Sequence, residues 1–121
     1  MFTSEDEIER VVRGFETCET DKTEFKHRDH VTVAIWYLQG MDREAAVERM
    51  RTGLLRFLGH HGVPIEKYSE DVTVYWIDLI ADKLEELAPD ASLLQRCNYI
   101  LSLPIHKPAS QVADEESLAK S

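Results

Sequence analysis

Between Asp42 and Gly62 the apolar residues recur at three- and four-residue steps, and this segment constrains the chain more than any other. Ala46, Val47, Met50, Leu54, Phe57 and Leu58 fall on one stripe, with Arg43, Glu44, Glu48, Arg51 and Arg56 mostly opposite. Asp42 supplies an N-cap, Gly62 a stop, and Pro64 prevents resumption. The spacing predicts a helix from Asp42 to about His61, whose stripe must be buried against other elements.

The same punctuation divides the rest of the chain into segments of helical length. Ser4 and Glu7 fit a capping box, so a first helix begins near Ser4, with Ile8, Val11, Val12, Phe15 and Cys18 facing the core. A second runs from about residue 27 to 39 and stops at Gly40. A fourth follows Ser69, from Glu70 to Leu87, with Val72, Trp76, Leu79, Ile80, Leu84 and Leu87 inward, and ends before Pro89. A fifth is capped by Asp90, carries Leu93, Leu94, Cys97, Ile100 and Leu101, and ends at Pro104.

Residues 31–38, rich in Val, Thr, Ile, Trp and Tyr, also suit a buried strand. Helix is preferred because no other segment offers a strand to pair with. The expectation is an all-α fold: a single compact bundle of about five helices over residues 1–104. Residues 105–121 are too polar and acidic to offset the entropy of ordering them, and form a mobile acidic tail with at most one weak helical turn.

With 14 Lys and Arg against 23 Asp and Glu, the chain carries a formal charge of −9, which makes nucleic acid a poor partner. Only the middle of the chain, residues 25–68, has a net positive balance and would welcome an anion. No apolar run reaches the ~20 residues of a membrane span, and the acidic start does not resemble a signal peptide, so the protein reads as soluble and cytoplasmic. Cys18 and Cys97 lie far apart without C-x-x-C spacing and read as small core residues.

Glu24-x-x-His27-x-x-His30 is the densest run of potential ligands. On a helix the two imidazoles emerge from one face about a turn apart, a geometry open to Zn, Fe, Ni or Cu, and Glu24 could fold back as an oxygen ligand. The start of the fourth helix, Tyr68-Ser-Glu-Asp-Val-Thr-Val-Tyr-Trp76, places polar groups ahead of aromatic ones. If the two helix starts meet, His27, His30, Glu70 and Thr73 converge on a pocket walled by Trp36, Tyr37, Tyr68 and Trp76. A divalent metal would then take His27, His30 and Glu70.

A purely structural reading stands beside this one: His27 near a helix start, His30 bonded in the core, Glu70 favouring the helix dipole, and the rings as core filler. His60 and His61 read as cations at a helix C-terminus, and His106 as an inert tail residue. The arginines of the third helix pair with Glu44 and Glu48 on a solvated face. Serine hydrolase, P-loop, H-E-x-x-H and Rossmann motifs are all absent from the sequence.

Phe25-x-His27-x-Asp29-His30, Ala34, Tyr37 and Leu38, Ala45-Ala46 to Gly62, and Tyr68-x-Glu70-x-x-Thr73-x-x-Trp76 together resemble a group of small, uncharacterised bacterial proteins. These carry F-x-H-x-x-H and Y-H-E-T-x-T-x-x-W elements, and the similarity covers about residues 24–80. It implies an all-helical fold and no established activity. Its two early histidines match His27 and His30, and its later residues match Glu70, Thr73 and Trp76. Its later histidine is Ser69 here and its first threonine is Asp71, so a three-histidine site would lack one imidazole. The functional expectation is an interhelical His/Glu pocket for a divalent metal or small polar ligand. The alternative is a non-enzymatic interaction or dimerisation module packed through the second helix.

Overall fold

A computed structural model of the chain describes residues 2–103; the expected tail and His106 lie outside them. Among the described residues the fold is all-α, with five helices: α1 Glu5–Glu16, α2 His27–Gly40, α3 Arg43–His60, α4 Glu70–Leu84 and α5 Leu93–Ser102. A single 3-10 turn, Ile65–Lys67, precedes α4 and was not foreseen in the sequence. No strand occurs among the described residues, and residues 31–38 lie within α2. No helix among them is long and apolar enough to cross a membrane.

The helix starts follow side-chain chemistry. The Glu7 carboxylate accepts from the backbone N–H of Thr3 at 2.7 Å and of Ser4 at 3.1 Å, the capping box expected for α1. Asp42 accepts from the Ala45 N–H at 2.8 Å, and Ser69 from that of Val72 at 3.3 Å. At the fifth helix the expected cap is displaced. Ser92, not Asp90, accepts from the Gln95 N–H at 3.1 Å, while the Gln95 side chain accepts from the Ser92 N–H at 2.8 Å. Pro89 and Asp90 instead form a turn closed by the Ala91 N–H on the Ala88 carbonyl, 3.0 Å. Gly62, at φ +70°, takes the left-handed conformation that lets the chain leave α3.

Two further expectations are corrected. The buried side of α4 is Thr73, Trp76, Ile77, Ile80 and Ala81, turned from the expected stripe of Val72, Trp76, Leu79, Ile80, Leu84 and Leu87. The helix is apolar around most of its circumference, so period alone does not fix its phase. It also ends at Leu84, short of Leu87. The α3 arginines pair mainly with other helices. Arg43 bonds Asp82 at 2.6 Å and Glu85 at 2.9 Å, Arg49 reaches Glu16 at 3.4 Å, and Arg51 reaches Glu70 at 3.2 Å as well as its helix neighbour Glu48.

These pairings define the packing. As α3 advances from Arg43 to Arg51, its α4 partners retreat from Asp82 to Glu70, so the two helices are antiparallel. His27 meets Trp76, while Leu38 and Met41 share a groove with Ala81 and Leu84, so α2 and α4 run in the same direction. Their N-termini therefore open at the same end of the bundle. α2 packs against each of the other four helices and buries Val31, Thr32, Val33, Ala34, Ile35 and Tyr37. Phe15, Phe25 and Phe57 fill the adjoining core, with the Phe15 and Phe25 rings stacked at 4.8 Å.

Candidate functional site

The parallel course of α2 and α4 creates a space at their N-terminal end, closed on the third side by α3. The cavity has a volume of about 60 Å³. Its polar lining comes from the first turns: His27 and His30 of α2, Lys67, Tyr68 and Ser69 before α4, and Thr73 and Trp76 within it. Its apolar lining comes from Val31 and Ala34 of α2, Met50, Leu54 and Leu58 of α3, and Val72, Ile77 and Ile80 of α4.

Of the residues expected at a pocket, His27, His30, Tyr68, Thr73 and Trp76 line this one cavity. The His27 ring lies edge-on to Trp76 at 4.6 Å between centroids, and the His30 ring leans on Phe25 at 4.4 Å. Thr73 is buried and its hydroxyl donates to the Ser69 carbonyl at 3.1 Å. The Tyr68 hydroxyl donates to Glu70 Oε1 at 2.6 Å. Burial first, and that hydrogen bond second, push the Tyr68 phenol up to about 12. It remains a protonated donor at neutral pH.

Glu70, Trp36 and Tyr37 do not line the cavity. Glu70 is exposed and taken up by Tyr68 and Arg51, as a first-turn carboxylate readily is when a guanidinium from a neighbouring helix reaches it. The ligand set His27, His30 and Glu70 is therefore not assembled. Among the described residues no group of three or more His, Cys, Asp or Glu side chains could hold a metal ion. Glu24 is exposed, in a turn where its N–H bonds the Asp21 carbonyl at 2.9 Å. Tyr37 is buried elsewhere, donating to Glu16 at 2.6 Å with Arg49 over its ring. Burial and the Glu16 contact raise its pKa well above the usual phenol range.

One feature escaped the sequence. Trp76 is 8% exposed, and its indole Nε1 is buried without a hydrogen-bond partner. The ring lines the cavity as expected, and its buried N–H is a donor without an acceptor. Nothing in a residue pattern distinguishes an indole with a partner from one without. Lys67 is the other addition, a cation on the lining supplied by the unforeseen 3-10 turn.

A second, wider groove lies at the opposite end of α2 and α4, between Leu38, Met41 and Leu84. Its arginines are engaged: Arg43 with Asp82 and Glu85, and Arg96 with the carbonyls of Ala91 at 3.0 Å and Pro89 at 3.1 Å. Comparison of the chain with models of known protein families, with curated proteins and with solved structures finds no match.

Proposed function

We propose that the protein binds a small molecule with an apolar body and a hydrogen-bond-accepting head in the cavity between α2, α3 and α4. The observation that carries this reading is the indole N–H of Trp76, buried in a cavity-lining residue without an acceptor. A buried donor left unpaired costs ~1–3 kcal/mol, and native structures rarely keep one without a reason. A ligand acceptor would supply the missing partner. Thr73, Tyr68 and the imidazoles of His27 and His30 surround the same end and would orient the head. The hydrocarbon wall would take the body, the usual division of labour in a binding pocket.

The resemblance to the small bacterial family belongs to the same proposal. Of the matched residues, His27, His30, Tyr68, Thr73 and Trp76 line the cavity while Glu70 does not, which supports a shared binding site without the carboxylate. A metal is the weaker reading, since the oxygen ligand it needed, Glu70, is committed to Tyr68 and Arg51. The docking alternative is weakened too. Trp76 is already buried within one chain, and Ile65 is the exposed large apolar side chain among the described residues.

The chain has two tryptophans, so its indole N–H groups can be followed individually by proton–nitrogen spectra, assigned with Trp36→Phe. Titration with butanol, butyramide, butyrate and phenol is expected to shift the Trp76 signal and leave Trp36 in place. Silence at Trp76 with all four probes overturns the reading, as does a larger shift with zinc or nickel ions than with any organic probe.

A further inference from the structure

We propose that the Tyr68 side chain is a door to this cavity, latched from outside by Glu70 and Arg51, and that a guest larger than a few atoms is held only while the door stands open. This rests on the binding reading above and adds how access to the same site is controlled.

Room is what the closed form lacks. Pockets that hold drug-sized molecules measure ~300–1,000 Å³, and this one measures about 60 Å³. A molecule with a body and a head therefore needs part of the wall to move. Every lining residue except Lys67, Tyr68 and Ser69 stands on α2, α3 or α4, and those contributed by α3 are all buried. Packed helices resist displacement, because a shift disturbs many close contacts at once.

The connection between α3 and α4 is built differently. The N–H groups of Lys67 and Tyr68 bond within it, to the carbonyls of Pro64 and Ile65, at 3.0 Å each, and Ile65 is 64% exposed. A movement here breaks little packing, the mark of a segment that opens locally. Ser69 is held to α4 by its bonds to Val72 and Thr73, and Lys67 already lies at the surface. Tyr68 is the bulky member of the three, half-buried, lining the cavity while its hydroxyl reaches an acceptor outside it.

That hydroxyl donates to Glu70 Oε1 at 2.6 Å, and the other carboxylate oxygen accepts from Arg51 Nη1 of α3 at 3.2 Å. Glu70 is exposed and does not line the cavity, so the latch sits on the outer side of the door. It ties the Tyr68 ring to α4 directly and to α3 through Arg51. Contacts so open to water are weak enough to release and strong enough to bias the ring. A guest that needs the open form loses affinity in proportion to the time the door is shut, and a weaker latch restores it.

The test compares Glu70→Ala, which frees the Tyr68 hydroxyl without altering the lining, with Asp71→Ala, which removes the adjacent first-turn carboxylate of α4. In the Trp36→Phe background, quenching of Trp76 fluorescence by acrylamide reads access to the cavity wall. Glu70→Ala is expected to raise the quenching constant severalfold and to tighten phenol binding about fivefold, with methanol, small enough for the closed form, unaffected. Arg51→Gln should act in the same direction to a smaller extent, and Asp71→Ala should change neither readout. Unchanged quenching in Glu70→Ala overturns the door, as does an equal response from Asp71→Ala. Phenol bound equally by Glu70→Ala and the unaltered chain also overturns it and leaves the pocket reading standing. Raised quenching with no organic probe bound keeps the door and removes the pocket reading. Arg51→Gln carries the same comparison should Glu70→Ala fail to fold.

Discussion

Single side chains show best where pattern stops and packing takes over. Gly53 lies in α3 at the point where the Phe15 ring crosses it; a Cβ there would stand 2.6 and 2.8 Å from Phe15 Cε2 and Cζ. Alanine ordinarily stabilises a helix interior by roughly 1 kcal/mol over glycine, yet an overpacked contact costs ~1–3 kcal/mol. Gly53→Ala is therefore expected to lower the urea midpoint. Gly59→Ala, six residues on, meets nothing within 4 Å and should raise it by ~0.5–1 kcal/mol. Opposite signs in two equilibrium unfolding curves check this; a stabilised Gly53→Ala contradicts it. Glu70 and Trp76 mark the limit of legibility at this scale. Both were readable as candidates near one helix start. Whether the carboxylate meets a histidine or Arg51 depends on an approach between α3 and α4 that local spacing does not encode.

Elements were legible to the extent that their boundaries are chemical. α1, α2 and α3 begin and end within a residue or two of the positions that Ser4, Gly40, Asp42 and Gly62 indicate. α5 starts later than expected because Ser92 with Gln95 offers two reciprocal hydrogen bonds where Asp90 offers one. Ser92→Ala is expected to cost ~1 kcal/mol, whereas Asp90→Ala should change stability little. Denaturant titration of the two variants distinguishes the caps, and a larger loss from Asp90→Ala would restore the earlier start. The rotation of α4 has a different origin. With Val72, Val74, Trp76, Ile77, Leu79 and Ile80 spread around it, several faces could have been buried. The antiparallel fit to α3 and the parallel fit to α2 select Thr73, Trp76, Ile77 and Ile80.

At the scale of the molecule, the fold class could be read from the succession of caps and stops, while the way helices face one another could not, and the cavity is a product of that facing. The bundle also couples its stability to alkaline pH. Burial, and secondarily the charge of Glu5, raise the Cys97 thiol from its ordinary 9.0 to about 12, and Tyr68 rises from 10.0 to about 12. In both cases the folded state keeps a proton that the unfolded chain releases first. Their contribution is thus complete below about pH 9 and lost as pH climbs toward 12. Unfolding free energy is expected to fall between pH 9 and 11, and Cys97→Ala should flatten that slope; a flat wild-type profile would contradict the assignment. Finally, α2 is enclosed by partners drawn from both ends of the chain, and the backbone of Phe2 is tied to the Asn98 side chain at 2.9 and 3.0 Å. During synthesis on the ribosome, the greasy stretch from Val31 to Ile35 must therefore wait unsheltered until some seventy more residues have emerged. The nascent chain passes through a long window in which it is sticky and only its last segment can close it.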